Sequence, residues 1–154
     1  MGNWEYLSAL DKMTFLKQVP LFKDISIEEL SRIAGIANEK SYRDGDFLIK
    51  QGEASAQLMI IMEGHIELSG KNDDGTEGTI GIVSSKQTIG EAGLFDERPS
   101  QVSAQVLFDE AKVLEIAGAE MIKLVRLYPE IGIGLLRAIS GRLLTLEHML
   151  LKLG

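Results

Sequence analysis

The chain has no cysteine, so neither a disulfide nor a thiolate-held metal can belong to it. Histidine is almost as scarce. His65 and His148 are the whole supply, which makes a His-rich metal site of the cupin kind a poor reading. Long apolar runs are also missing. The longest, Leu58 to Met62, is far too short to cross a bilayer. Glu5 and Asp11 interrupt the N-terminus before any long apolar segment, so nothing there resembles a signal peptide. Cations are outnumbered: 16 Lys and Arg stand against 23 Asp and Glu, a net charge of −7. Phosphate recognition needs clustered Lys and Arg, so a nucleic-acid surface is not expected, nor docking on an anionic membrane. No spacing supports a Ser–His–Asp arrangement, and there is no glycine-rich P-loop. An enzyme is therefore not expected, and no cofactor is implied. The default location is the cytoplasm.

What is present is enough for a single domain over residues 1–154, with 45% hydrophobic and 25% charged residues. Helices are expected over 4–37. Trp4, Leu7, Leu10, Phe15 and Leu16 give an imperfect apolar face to a first helix over 4–17. Val19-Pro20-Leu21-Phe22 ends it. Ser26-Ile27-Glu28-Glu29 is a capping-box pattern, followed by Leu30, Ile33, Ala34 and Ala37 on one face. From Tyr42 the period shortens. Strand-like runs appear at Phe47–Ile49, Leu58–Met62, His65–Ser69, Thr79–Val83, Val102–Phe108 and Lys112–Ile116. Asp44-Gly45, Gln51-Gly52-Glu53, Glu63-Gly64 and Asn72-Asp73-Asp74-Gly75 separate them. Leu58–Met62 alternates little, so it reads as buried on both faces. Roughly eight short strands over 40–117 predict a mainly β fold, a jelly-roll or barrel.

Helical spacing returns over 119–153. Met121, Leu124, Val125 and Tyr128 form a short helix, and Pro129 can open the last one. Gly132, Gly134 and Gly141 weaken that helix, each by about 1 kcal/mol relative to alanine. Ile139, Leu143, Leu146, Leu150 and Leu153 are spaced 4-3-4-3, the pattern of a coiled-coil seam. The seam serves either a homodimer or a helix folded back on its own β body.

The stretch from Thr88 to Ala104 is the candidate site. A short strand runs into Gly90, then Glu91, Ala92 and Gly93 suggest a single helical turn. Backbone N–H groups at such a turn can take an anion. Glu91 reads equally well as a ligand-facing acid and as a surface acid that favours a helix N-terminus.

The element order and the spaced turns resemble the cyclic nucleotide-binding domain family, the kind found in the catabolite activator protein and in regulatory subunits of protein kinase A. Val19-Pro20-Leu21-Phe22 is similar to the motif that opens the family's domain. Gly45, Gln51-Gly52-Glu53, Gly64 and Gly90-Glu91 sit where the family keeps its turn glycines. The resemblance covers roughly residues 13–150. It implies an eight-stranded β-roll, a double-stranded β-helix or jelly roll, with N-terminal helices and a long C-terminal helix. It also implies a phosphate-binding cassette: Glu91 on a ribose hydroxyl, the backbone of Gly90, Ala92 and Gly93 and an arginine on the cyclic phosphate, and a C-terminal helix that covers the base. The arginine is absent. Ser100 follows Pro99 where the family has it, and Gln101 replaces the usual Ser or Thr. Arg98 lies two residues earlier and would have to reach back from the loop. A serine hydroxyl does not replace a guanidinium charge.

Two readings follow. In one, the chain is a regulatory sensor that binds cyclic AMP, another cyclic nucleotide or a small anion and signals through its last helix, to a homodimer partner or a downstream effector. In the other, it is a degenerate member that dimerises or docks without a ligand.

Overall fold

The structure, a computed structural model, describes residues 7–154. Four helices and six strands follow in the order α1 (Ala9–Leu16), α2 (Ile27–Ile36), β1 (Ala37–Tyr42), β2 (Phe47–Ile49), β3 (Gln57–Lys71), β4 (Glu77–Val83), β5 (Thr88–Ile89), β6 (Ser103–Ala117), α3 (Gly118–Leu127) and α4 (Pro129–Leu153). A 3-10 turn at Pro20–Phe22 joins α1 to α2, and a second lies at Glu91–Gly93.

The predicted first helix is shorter than its pattern. Trp4 lies outside the described residues. The Ser8 hydroxyl accepts from Asp11 N at 3.1 Å and the Asp11 carboxylate accepts from Ser8 N at 3.2 Å, a reciprocal cap that fixes the helix start. Phe15 and Leu16 are buried, but Leu10 is 65% exposed. At α2, Ser26 Oγ accepts from Glu29 N at 3.3 Å. Leu30, Ile33 and Ala34 are buried on its inner face, while Ala37 already belongs to β1. The chain passes from helix to strand with no turn residue between, so Asn38 to Ser41 carried no strand signal.

The eight expected strands are six because two pairs are continuous. β3 runs through Glu63-Gly64 and β6 runs through Asp109-Glu110. The two pair antiparallel from Gln57↔Ala117 to Ser69↔Ser103. Register shifts at Ile61/Glu63 and Glu63/His65 bend the ladder instead of ending it. The main sheet order is β1-β6-β3-β4, with β2 on β6 and β5 on β3. This is the mainly β roll with flanking helices that the sequence predicts.

The centre of β3 explains the burial. Leu58, Ile60 and Met62 enter the core shared with the helices, which includes Phe22, Ile33, Met121, Ile131 and Leu135. Met59 and Ile61, pointing the other way, enter the core inside the roll with Ile66, Ala104, Val106 and Val113. All five β3 residues are at most 4% exposed. Each such side chain contributes about 1.5–3 kcal/mol relative to exposure.

The N-terminal half of α4 lies on the body, against α3 and the Pro20–Phe22 turn. Ile131, Gly134, Leu135 and Ala138 are buried there. A Cβ on Gly134 would meet Ile25 Cγ1 at 2.8 Å, so this glycine permits a close helix approach as well as weakening the helix. Beyond Ala138 no residue of the helix is buried. Ile139, Leu143, Leu146, Leu150 and Leu153 are 38, 57, 57, 68 and 83% exposed.

Candidate functional site

β5 is two residues long and paired to Met59 and Ile60 of β3. Gly90 then takes φ 86°, a left-handed conformation that favours glycine. A Cβ on Gly90 would collide with the Gln57 carbonyl oxygen, and one on Gly93 with the Ser55 carbonyl oxygen. The glycines let the turn press against the chain that enters β3. The turn uses part of its own donor set: Gly93 N bonds Gly90 O at 3.1 Å and Leu94 N bonds Glu91 O at 3.2 Å.

A cleft of about 430 Å³ opens beside the turn. The structure brings all seven sequence-predicted site residues to its lining: Gly90, Glu91, Ala92, Gly93, Arg98, Ser100 and Gln101. Ile49, Leu68, Ile89 and Val102 supply apolar wall, and Thr88 and Asp96 add polar groups.

The individual side chains differ in what they offer. Ser100 Oγ donates to Val102 O at 2.7 Å and accepts from Val102 N at 3.2 Å. Its backbone is also held, with Ser100 N donating to Glu53 O and Gly52 N donating to Ser100 O, both at 2.9 Å. The hydroxyl is engaged in its own turn and carries no charge. Arg98 Nε pairs with the Asp96 carboxylate, and its side chain is 81% exposed. The Phe95–Pro99 loop thus leaves that guanidinium at the solvent edge. Gln101 is exposed at the rim.

Of the two acids that line the cleft, Glu91 and Asp96, Glu91 is the one held from α4. Arg142 Nη1 donates to Glu91 Oε1 at 3.0 Å, and Arg142 Nη2 donates to Thr88 Oγ1 at 3.2 Å. The Thr88 hydroxyl donates to the same Glu91 oxygen. The Glu91 carboxylate is 22% exposed and Thr88 is buried, so this triangle is partly shielded from water. Such charge-assisted bonds contribute about 1.5–3 kcal/mol where burial is substantial. Sequence reading missed Arg142, and it gave Thr88, at the head of the candidate stretch, no role of its own. A lone arginine beside a leucine seam looks like any solvated helix cation, and only the docking angle of α4 brings it to the cleft.

Among the described residues, no group of three or more His, Cys, Asp or Glu is placed to hold a metal ion. Among them also, no helix is long and apolar enough to cross a membrane.

The sequence profile described as the cyclic nucleotide-binding domain matches residues 39–128. The chain is 32% identical over 108 residues to the cAMP-dependent protein kinase regulatory subunit of Mycosarcoma maydis, covering 69% of this chain and 20% of that protein. It thus spans about a fifth of that relative's length. Among solved structures it is similar to the N-terminal domain of a transcriptional regulator from Streptomyces coelicolor A3(2), with a TM-score of 0.76 and 27% identity, over 88% of this chain and 94% of that one. The Thermus thermophilus catabolite activator protein shares the fold, with a TM-score of 0.75 and 24% identity, over 87% of this chain and 62% of that one.

Proposed function

The chain belongs to the cyclic nucleotide-binding domain family, and from that premise we propose that it is a regulatory sensor whose cleft takes a cyclic nucleotide or similar small anion and reports it through α4. The observation that carries this reading is the bond pair from Arg142 to Glu91 and Thr88. It ties the long helix to the wall of the cleft. A ligand hydroxyl that bonds Glu91 competes with that guanidinium, and a ligand anion attracts it. Either event changes what holds α4, so cleft occupancy and helix position are linked. The module works in the cytoplasm, as a non-catalytic partner to a second copy or an effector.

Binding is weak on this reading, because Ser100 brings no charge and Arg98 is turned to Asp96. The test is titration calorimetry with cyclic AMP and cyclic GMP, joined to amide hydrogen exchange along α4. We expect dissociation constants well above micromolar, with altered exchange around Arg142 at saturation. Binding that leaves α4 exchange unchanged would refute transmission through the helix.

A second reading has its own support. Arg142 already fills the bonding position on Glu91 from within the chain. On this reading the cleft is self-occupied, and the exposed seam from Ile139 to Leu153 serves dimerisation or partner docking. No heat with either nucleotide at millimolar concentration, together with a dimer in sedimentation, favours it over the first.

A further inference from the structure

The charged groups at the cleft cancel in two pairs. Its lining carries Glu91, Asp96 and Arg98. Arg98 pairs with Asp96, and Glu91 pairs with Arg142 at 3.0 Å. Neither cation is left over for a phosphate, and neither carboxylate is left over for an ammonium group. Ser100, whose hydroxyl is closed on Val102, adds no charge. A phosphate that enters must give up water without gaining a counter-ion, or must break one pair to obtain it. Breaking the outer pair costs little, but the guanidinium it frees stands 81% exposed at the rim, where water and salt screen it. An ammonium group meets the mirror image of the same cost.

What the cleft does offer is one bonding atom beside an apolar wall. Both side-chain bonds to the Glu91 carboxylate, from Arg142 and from the Thr88 hydroxyl, fall on Oε1. Oε2 accepts from none of the described residues. It is also open to solvent, since among those residues no side-chain oxygen or nitrogen is both buried and unpartnered. An ionised carboxylate oxygen takes hydrogen-bond donors only. Arg142 already balances the charge, so the donor that fits is a neutral hydroxyl. Ile49, Leu68, Ile89 and Val102 supply the apolar wall. The volume of about 430 Å³ lies in the range of clefts that enclose a drug-sized molecule.

We propose that the preferred ligand of this cleft is an uncharged nucleoside, with a ribose hydroxyl on Glu91 Oε2 and its base against the apolar wall, and that a phosphate on the same nucleoside weakens the fit. This rests on the sensor reading above, keeps its cleft and its link to α4, and takes the anion out of its ligand. A hydroxyl on Oε2 draws on the same carboxylate charge that Oε1 presents to Arg142. An uncharged ligand therefore still changes what holds the helix.

The test is titration calorimetry on the full chain with adenosine and cyclic AMP, which share a base and a ribose and differ in the phosphate. Adenosine should bind at least about tenfold more tightly. Its dideoxy analogue, which lacks both secondary ribose hydroxyls, should bind about tenfold more weakly than adenosine. Ser100→Arg should reverse the order of adenosine and cyclic AMP, because it supplies a cation that no acid of the cleft already holds. The first two measurements need no variant, so they decide the matter even if Ser100→Arg does not fold. Cyclic AMP binding as tightly as adenosine, or more tightly, overturns the proposal and leaves the sensor reading standing. A dideoxy analogue that matches adenosine overturns the bond to Glu91, and the proposal with it. No heat from either ligand at millimolar concentration overturns both the proposal and the sensor reading.

Discussion

Replacing Ser100 with arginine tests whether a missing charge limits this cleft. Ser100 lines the cleft, and its backbone is pinned by Glu53 O and Gly52 N at 2.9 Å. Those bonds are made by main-chain atoms and survive the substitution. What is lost is the hydroxyl bridge to Val102, at 2.7 and 3.2 Å, which costs about 1 kcal/mol of stability. What is gained is a guanidinium able to grip a phosphate with two donors. A bond to a charged group contributes about 1.5–3 kcal/mol, so cyclic AMP should bind Ser100→Arg roughly ten- to hundredfold more tightly than the unmodified chain. Titration calorimetry reads the change directly, with a thermal melt to confirm folding. Arg98→Ala should alter affinity by less than about threefold, since an exposed pair with Asp96 holds that side chain away. Submicromolar binding of cyclic AMP by the unmodified chain, abolished by Arg98→Ala, would refute the reasoning and make Arg98 the phosphate ligand.

Gly93→Ala drives a Cβ into the Ser55 carbonyl oxygen, and the backbone shift should cost about 1–3 kcal/mol, read as a melting point lower by about 3–10 °C. Replacing Leu146 and Leu150 with lysine should convert a dimer to monomer in sedimentation without changing the circular dichroism spectrum, since both side chains are exposed in the single chain. The Tyr42 phenol is pushed well above its ordinary value by burial first, then by its hydrogen bond to Glu115. The unfolded chain therefore ionises first, so this contribution to stability is complete below about pH 10 and falls as pH rises beyond it. Tyr42→Phe should flatten the loss of stability above that pH; an unchanged alkaline slope in denaturant titrations would show that Tyr42 is not its source.

The fold was legible where one signal ruled. Leu58–Met62 has no alternation because both of its faces meet a core, one of helices and one of the roll. Pro129 opens α4, as its missing N–H allows. The errors fell where two signals overlapped. Glu63-Gly64 and Asp109-Glu110 look like strand ends, yet β3 and β6 pass through them because the long antiparallel ladder between the two absorbs the irregularity as register shifts. Asn38 to Ser41 has the polar composition of a loop. It is a strand because β6 supplies a partner ladder from Ala37↔Ile116 to Tyr42↔Ala111, and pairing across the sheet outweighs local propensity.

The site divides along the same line. Contiguous residues were readable: the Gly90–Gly93 turn and the loop to Gln101 fold back around one cleft because they are one stretch of chain. Arg142 was not readable, for it lies 51 residues from Glu91. Nothing local marks it, since its neighbours Leu143, Leu144 and Leu146 announce a seam and an arginine beside a seam is ordinary. Its meaning appears only when α4 is docked through Ile131, Leu135 and Ala138. One further turn along the helix then carries Arg142 over Thr88 and Glu91. The same docking decides which face of α4 is left over. Residues 131, 134, 135 and 138 are buried on the body, and no residue from Ile139 to Leu153 is buried. Cleft and seam therefore meet at one residue as a consequence of helix length. Shortening α4 by its last two turns should leave the Arg142–Glu91 bond in place and remove Leu150 and Leu153 from the seam, which weakens self-association without altering ligand binding.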